Sequence, residues 1–260
     1  MRISVIGAGV MGEALIAALI KAGHSPAQIE VIEKRAERAT ELVSKYQIKI
    51  GSDLSSVDVL LLVTKPQDVD AVLADINGKV KPGALVVSFA AGKKIATISN
   101  GLSGKNPVVR VMPNTPTLVG KGAAGYSLGS GVTDHQKEFL IDFLSAAGIA
   151  VEVKEELQDA VTATSGSGPA YFFAFVESMV KGAMDLGLSE DVATQLTVQT
   201  IIGSAELLAT SGKSATTLRE NVTSPNGTTF AALQSFSASD LEVIVAKAMK
   251  AARDRSIELS

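Results

Sequence analysis

The first half of the chain alternates short runs that are apolar at every position with longer runs whose apolar residues return at helical spacing. "ISVI" (3–6) passes through a glycine-rich turn into "MGEALIAALIKAG", and "IEVIE" (29–33) leads into "RAERATELVSKY". "VDVLLLV" (57–63) and "ALVVSFAAG" (84–92) are nearly continuous apolar strands, as in a parallel sheet covered on both faces. "PVVRVMPNTP", "GAAGYSLG", a helix from about Asp134 to Ala147 and a last strand, "IAVEV", follow. After about Glu155 the strand patterns stop and the chain reads as helix. "PAYFFAFVESMVKGAMDLG" carries Tyr171, Phe172, Phe173 and Phe175, and "SEDVATQLTVQTIIGSAELLATSG" opens on Ser189 as a capping residue. Leu241, Ile244, Val245, Ala248, Met249 and Ala252 then follow helical spacing.

This pattern predicts an α/β fold: a Rossmann domain with a doubly wound, mostly parallel sheet over 1–154, then an all-α domain over 155–260. The apolar stripes of the second half read as core. There is more such surface than one small domain encloses, which predicts an intertwined homodimer built by this half; a compact monomeric bundle is the rival.

Composition narrows the function. Charges are spread along the chain, 24 basic against 27 acidic for a net −3, with no basic stripe to favour nucleic acid. No stretch of about 20 apolar residues is long enough for a membrane span, and a cytoplasmic setting is expected. The absence of cysteine excludes disulfides, thiol nucleophiles and thiolate metal sites. The two histidines, His24 in a turn and His135 at a helix start, read as surface residues, so no metal site is expected. An enzyme with so few catalytic side chains relies on a bound cofactor.

The glycines supply that cofactor. Gly7-Ala8-Gly9-Val10-Met11-Gly12 is G-x-G-x-x-G placed between a strand and a helix. Gly7 permits the tight turn, Gly9 leaves room for a pyrophosphate, and Gly12 allows close helix–strand packing. Val10 and Met11 begin the helix whose free amides face the phosphates. Glu33 ends the second strand where a ribose-reading acid is expected and favours NAD. Lys34 and Arg35 follow it and suit a 2′-phosphate; the reading leans to NADP, with NADPH preferred and NADH also accepted. The loops after Val63, Phe89 and Met112 fall at the carboxyl ends of strands, with Lys65 a candidate for the nicotinamide end.

Two polar segments interrupt the helical half. "TSGSGPAY" (164–171) places Ser167 or Gly168 as a cap before Pro169. "TSPNGTT" (223–229) sets a Pro225-Asn226-Gly227 turn ahead of Thr228 and Thr229 at a helix head. Either alone is explained by helix capping. Beside a nucleotide domain, a hydroxyl-rich helix head suits a small carboxylate.

On "IGAGVMG", "VTKPQ", "VSFAAG", "RVMPNTP", "SGSGPAY" and "VTSPNGTT", the chain resembles the pyrroline-5-carboxylate reductases along its whole length. The resemblance implies NAD(P)H-dependent reduction of a cyclic imino acid, 1-pyrroline-5-carboxylate, to L-proline, in a dimer that often assembles into a decamer. It implies that Ser224, Thr228 and Thr229 hold the substrate, with Asn226 and Gly227 in the same turn and the Thr229 hydroxyl facing the imine nitrogen. Val63, Thr64, Lys65 and Pro66 would pack near the nicotinamide ribose, with Ala90 and Ala91 close by. The chain departs from that family at Asn226, where many members carry glycine. It also departs before the "VTKPQ" strand, where Ser52 or Asp53 stands in for an asparagine on the adenine ribose. The alternatives are a β-hydroxyacid dehydrogenase or imine reductase relative and a non-catalytic NADP-binding regulator. Lys181, at the far end of the aromatic helix, argues against a dehydrogenase of the first kind.

Overall fold

A computed structural model describes residues 1–259. The chain divides into two compact units, Met1–Pro169 together with the turns from Ala251 onward, and Ala170–Lys250.

The first unit is built on an eight-stranded sheet: β1 (Ile3–Ile6), β2 (Ile29–Ile32), β3 (Lys49–Ile50), β4 (Val59–Leu62), β5 (Leu85–Ser88), β6 (Val108–Met112), β7 (Gly122–Leu128) and β8 (Gly148–Glu152). The strand order is β3-β2-β1-β4-β5-β6-β7-β8. The six strands from β3 to β6 are parallel, β7 runs antiparallel to β6, and β8 is parallel to β7. The helices of this unit are α1 (Val10–Lys21), α2 (Ala36–Tyr46), α3 (Val69–Ile76), α4 (Ile95–Gly101), α5 (Asp134–Ser145) and α6 (Gln158–Val161).

All four residues of β1, β4 and β5 are buried because helices cover both faces of the sheet. Ile3, Val5, Val59 and Leu61 point into one layer with Leu15, Ile16 and Leu19 of α1, Leu42 of α2 and Phe143 of α5. Ile6, Leu60, Leu62 and Val86 point into the other, with Val69, Leu73 and Ile76 of α3 and Ile98 of α4. The strand alternation therefore feeds two cores at once. The sheet reverses at β7 because the 113–121 link holds just a 3-10 turn, Thr115–Val119, and no crossover helix. The next link contains α5, and β8 returns parallel. Thr133 caps α5 reciprocally with Gln136.

The second unit is helical: α7 (Gly168–Asp185, starting just before it), α8 (Glu190–Thr210), α9 (Ala215–Asn221), α10 (Thr228–Ala238) and α11 (Leu241–Glu258, whose last turns belong to the first unit). Ser189 caps α8 as expected, accepting from the Val192 amide. Within Ala170–Lys250 the buried residues are Ala193 and Thr197. The stripes read as core are therefore surface in a single chain: Phe172 is 64% exposed and Ile244 56%. The sequence pattern marks apolar faces but not what covers them.

"TSGSGPAY" also differs from its expectation. Thr162–Gly166 is a π-helical turn that continues α6, and Ser167, a bend with right-handed dihedrals (φ -87, ψ -19), joins it to α7, so the segment runs on from a helix instead of opening from extended chain.

Candidate functional site

The glycine turn carries the geometry its spacing implies. Gly7 has φ 87, and a Cβ there would press on the Val63 carbonyl oxygen at the end of β4. Gly12 lies so close to the Gly7 carbonyl that no side chain fits. Gly9 differs: nothing lies within 4 Å of where its Cβ would be. Two glycines serve the fold, and the third leaves open space at the head of α1, whose N-terminus has no side-chain cap.

That open space belongs to a crevice of about 870 Å³ beyond the carboxyl ends of β1, β2 and β4. Of the candidates named from sequence, Gly7, Gly9, Glu33, Lys34, Arg35, Ser52, Val63, Thr64 and Lys65 line it. Val10 and Met11 form the first residues of α1, Gly12 is buried behind them, and Pro66 opens a 3-10 turn ahead of α3. Ala90 and Ala91 follow β5, with Ala90 buried. Between the two candidates for the adenine ribose, Ser52 lines the crevice, whereas Asp53 turns to its own loop and accepts from the Ser55 amide at 2.9 Å.

Ala8, between the first two glycines, is clamped on both sides. Its amide donates to Glu33 Oε2 at 2.9 Å, and its carbonyl accepts from Arg38 Nε at 3.0 Å. Arg38 also pairs with Glu13 of α1, which accepts from Lys45 Nζ at 2.8 Å and the Tyr46 hydroxyl at 3.0 Å. The Lys45 hydrogen bond, against burial and together with Arg38 and Tyr46, holds the Glu13 carboxyl down at about 2. Sequence reading missed Glu13 and Arg38, since no local signal relates positions that meet across two helices. It also missed Asp75 and Lys79, which α3 and the residues after it bring to the crevice wall.

Glu33 is not a free ribose acceptor. Its Oε1 already accepts from the Arg35 amide at 3.1 Å and Arg35 Nε at 3.2 Å, while Oε2 takes the Ala8 amide. Burial works to raise this carboxyl, but the two amides and the guanidinium outweigh it and hold it below the usual range. Thr64 supplies the opposite case: its hydroxyl oxygen is buried with no protein partner. A polar atom orphaned beside a glycine left open fits a nucleotide with its own donors and acceptors. The residues present therefore fit a dinucleotide.

In the second unit, Ser224, Asn226, Gly227, Thr228 and Thr229 form one turn and helix head. The Gly227 amide donates to the Ser224 carbonyl at 3.0 Å, closing a turn with Pro225 second and Asn226 third at φ 60. Asparagine tolerates this left-handed conformation. Gly227 caps α10 with no side-chain hydrogen bond to its first amides. Thr229 is half-buried; Ser224 and Thr228 are exposed. His135 is exposed, and burial against the ring of Phe139, 5.2 Å away between centroids, lowers the half-buried His24. Among the described residues no cluster of acidic or histidine side chains is arranged to hold a metal, and no helix is long and apolar enough to cross a membrane.

Comparison with known proteins agrees with both halves. Residues 155–259 match the family model for pyrroline-5-carboxylate reductase dimerisation, and residues 2–92 match that for NADP oxidoreductase, coenzyme F420-dependent. The pyrroline-5-carboxylate reductase of Pseudomonas aeruginosa is 42% identical over 100% of this chain and 97% of its own. The solved structure of a pyrroline-5-carboxylate reductase from Coxiella burnetii superposes with a TM-score of 0.92 at 32% identity, covering 100% and 98% of the two chains. That of Plasmodium falciparum pyrroline carboxylate reductase with NADP bound gives 0.87 at 29%, over the same shares. A dimerisation region over the helical half makes the protein a homo-oligomer. With a relative this similar end to end, the chain belongs to the pyrroline-5-carboxylate reductase family.

Proposed function

We propose that the Ser224–Thr229 turn holds the carboxylate and ring of 1-pyrroline-5-carboxylate, and that the glycine crevice holds NADPH for its reduction to L-proline. The reductase activity goes with the family; the residues, the coenzyme preference and the assembly are the proposal.

The observation that carries the substrate reading is the bare head of α10, where two kinds of group lie in one turn. The first amides of the helix have no side-chain cap, Ser224 and Thr228 offer hydroxyls, and no arginine is needed to bind a small carboxylate. The Thr229 hydroxyl, on the second residue of that helix, orients the ring by a hydrogen bond at nitrogen. A cyclic imine accepts a hydride at carbon once its nitrogen is protonated, so orientation and proximity do most of the work and no strong acid is required. A bound reduced nicotinamide supplies that hydride. Val63, Thr64, Lys65 and Pro66 line its ribose side, with Ala90 and Ala91 flanking.

Coenzyme preference follows from Glu33. Three of its roughly four acceptor positions are taken by the chain's own amides and guanidinium, which leaves Oε2 room for one hydroxyl but not for both hydroxyls of a ribose diol. The cations Lys34, Arg35 and Lys79 on the crevice wall suit a 2′-phosphate instead. NADPH is therefore preferred and NADH tolerated. The apolar faces of α7, α8 and α11 are covered by a second copy in an intertwined dimer, and five such dimers complete a decamer.

Loss of NADPH absorbance with the pyrroline carboxylate, run beside NADH, tests substrate and coenzyme together. Thr229→Val lowers kcat/KM by about 10–100-fold, or 1.4–2.7 kcal/mol; unchanged kinetics would remove Thr229 from the site. Light scattering gives the assembly size.

A further inference from the structure

Arg110 is an unexpected residue to find inside a sheet. It lies in β6, and its side chain is 4% exposed. Its guanidinium faces two carboxylates one helical turn apart: Asp159 Oδ1 at 3.3 Å and Glu155 Oε1 at 3.8 Å. Each carboxylate has a second task. Asp159 Oδ1 accepts from the Ser256 hydroxyl at 2.7 Å, which fastens the last turns of α11. Glu155 Oε1 accepts from the Ile95 amide at 2.6 Å, which fastens the first residue of α4. Gln158, fully buried between them, ties the same turn to the sheet through the Arg110 and Gly125 carbonyls and the Ser127 hydroxyl.

Both fastened elements bound one segment. Between β5 and α4 the chain runs Phe89-Ala90-Ala91-Gly92-Lys93-Lys94. Its far end is held at the Ile95 amide. Its middle presses on α11: Gly92 has φ 76, and a Cβ there would lie 3.1 Å from the carbonyl oxygens of both Ser256 and Leu259. Its near end is held to β4 by the Phe89 amide on the Leu62 carbonyl. Phe89 packs into the core and Lys93 pairs with Asp70 at 3.2 Å, but Ala90, Ala91 and Gly92 between them bring no long side chain, and their course is set by the elements that the charge cluster fastens.

We propose that Arg110, Glu155, Asp159 and Ser256 are positioning residues for the coenzyme, because they set the Ala90–Gly92 loop against which the nicotinamide end rests. The idea rests on the reading of that loop given above. One buried arginine faces two carboxylates whose side chains remain 34% and 17% exposed, so solvent screens the pairs and the arrangement adds little as stability alone. It does hold two distant chain segments in one fixed relation, and the loop lies between them.

Ser256→Ala tests this, since it removes the hydroxyl from Asp159 and leaves both ion pairs. Glu155→Ala, which frees the Ile95 amide, is the second route, and Glu155→Gln, which keeps an acceptor for that amide, is the rescue. In the coenzyme-free, full-length protein, hydrogen exchange of the 89–95 amides should quicken about tenfold in both alanine variants. NADPH affinity by calorimetry should weaken about three- to tenfold, with the KM for the imine little changed and Glu155→Gln near wild type. Leu144→Ala, a buried change in α5 that lowers Tm and removes none of the hydrogen bonds or ion pairs of the Arg110 cluster, should alter neither readout. Unchanged exchange or unchanged affinity in both alanine variants would overturn the proposal, as would the same defects in Leu144→Ala. A wild-type protein that binds no NADPH would instead end the coenzyme reading itself.

Discussion

The two units place their apolar residues in opposite ways. In the first, every strand from β1 to β5 except the short edge strand β3 is lined by buried side chains, and two cores form on the two faces of the sheet. In the second, Ala193 and Thr197 are buried, while Phe172, Leu186 and Ile202 stand 64%, 88% and 56% exposed. Both regions are rich in apolar residues, so composition does not separate them. The difference is that a doubly wound sheet closes on its own helices, whereas these helices have too few neighbours within one chain. The first unit builds its cores within one chain; the second lies in the region matched to dimerisation and leaves its apolar faces open.

That contrast can be broken, and the largest effect should come from the exposed helices. Ile202→Asp places a charge on the exposed face of α8 proposed above to be covered by the second copy, and association should weaken by about a thousandfold or more, read by sedimentation velocity. An unchanged oligomer would show that this face is not covered and that the second unit tolerates its exposure.

Next come the glycines of the first unit, which separate folding from binding. Gly9→Ala meets open space, so Tm should stay within about 2 °C while coenzyme affinity falls at least about tenfold. Gly12→Ala drives a methyl into the Gly7 carbonyl and should cost about 2–4 kcal/mol of stability in chemical denaturation as well as coenzyme binding. Equal Tm losses in the two would mean that the turn is not divided in this way.

A smaller effect should follow acidification. Glu13 is held at about 2 by Lys45, Arg38 and Tyr46, below the 4.5 usual for a glutamate. Its stabilisation is present above the unfolded value and is lost as pH falls from about 4.5 toward 2. Glu13→Gln should remove about 1–3 kcal/mol at neutral pH and flatten the stability profile over that window. A profile of wild-type steepness would assign the acid sensitivity elsewhere. The smallest change is in the second unit: Asn226 at φ 60 should cost about 1 kcal/mol when replaced by alanine and about 0.5 kcal/mol or less when replaced by glycine. Equal losses would argue against a left-handed turn.

Much of the first unit was legible because its signals are local. A strand, three glycines and a helix lie within 20 residues, and Glu33 follows one strand later. What escaped was set by partners far along the chain. Nothing near Glu33 reveals that Ala8 and Arg35 occupy its oxygens, and nothing near Ala8 points to Arg38. The β7 reversal depends on a link too compact for a crossover helix. The π-helical turn at Thr162–Gly166 carries the serines and glycines of a cap, and its helical course emerges from packing against Met112 and Asn114: a Cβ at Gly166 would strike the Met112 side chain, and Asn114 Nδ2 donates to the Ser165 carbonyl at 3.1 Å.

By itself the sequence determined the order of the elements, the glycine turn, the asparagine suited to a left-handed position and the apolar stripes, all properties of neighbouring residues and their spacing. The tertiary structure decided which carboxylates are already engaged, which glycine faces open space, where a buried arginine collects two acids and which stripes remain uncovered. Those depend on distance in space, and a hydrogen bond or a clash registers a few tenths of an ångström that no spacing along the chain encodes.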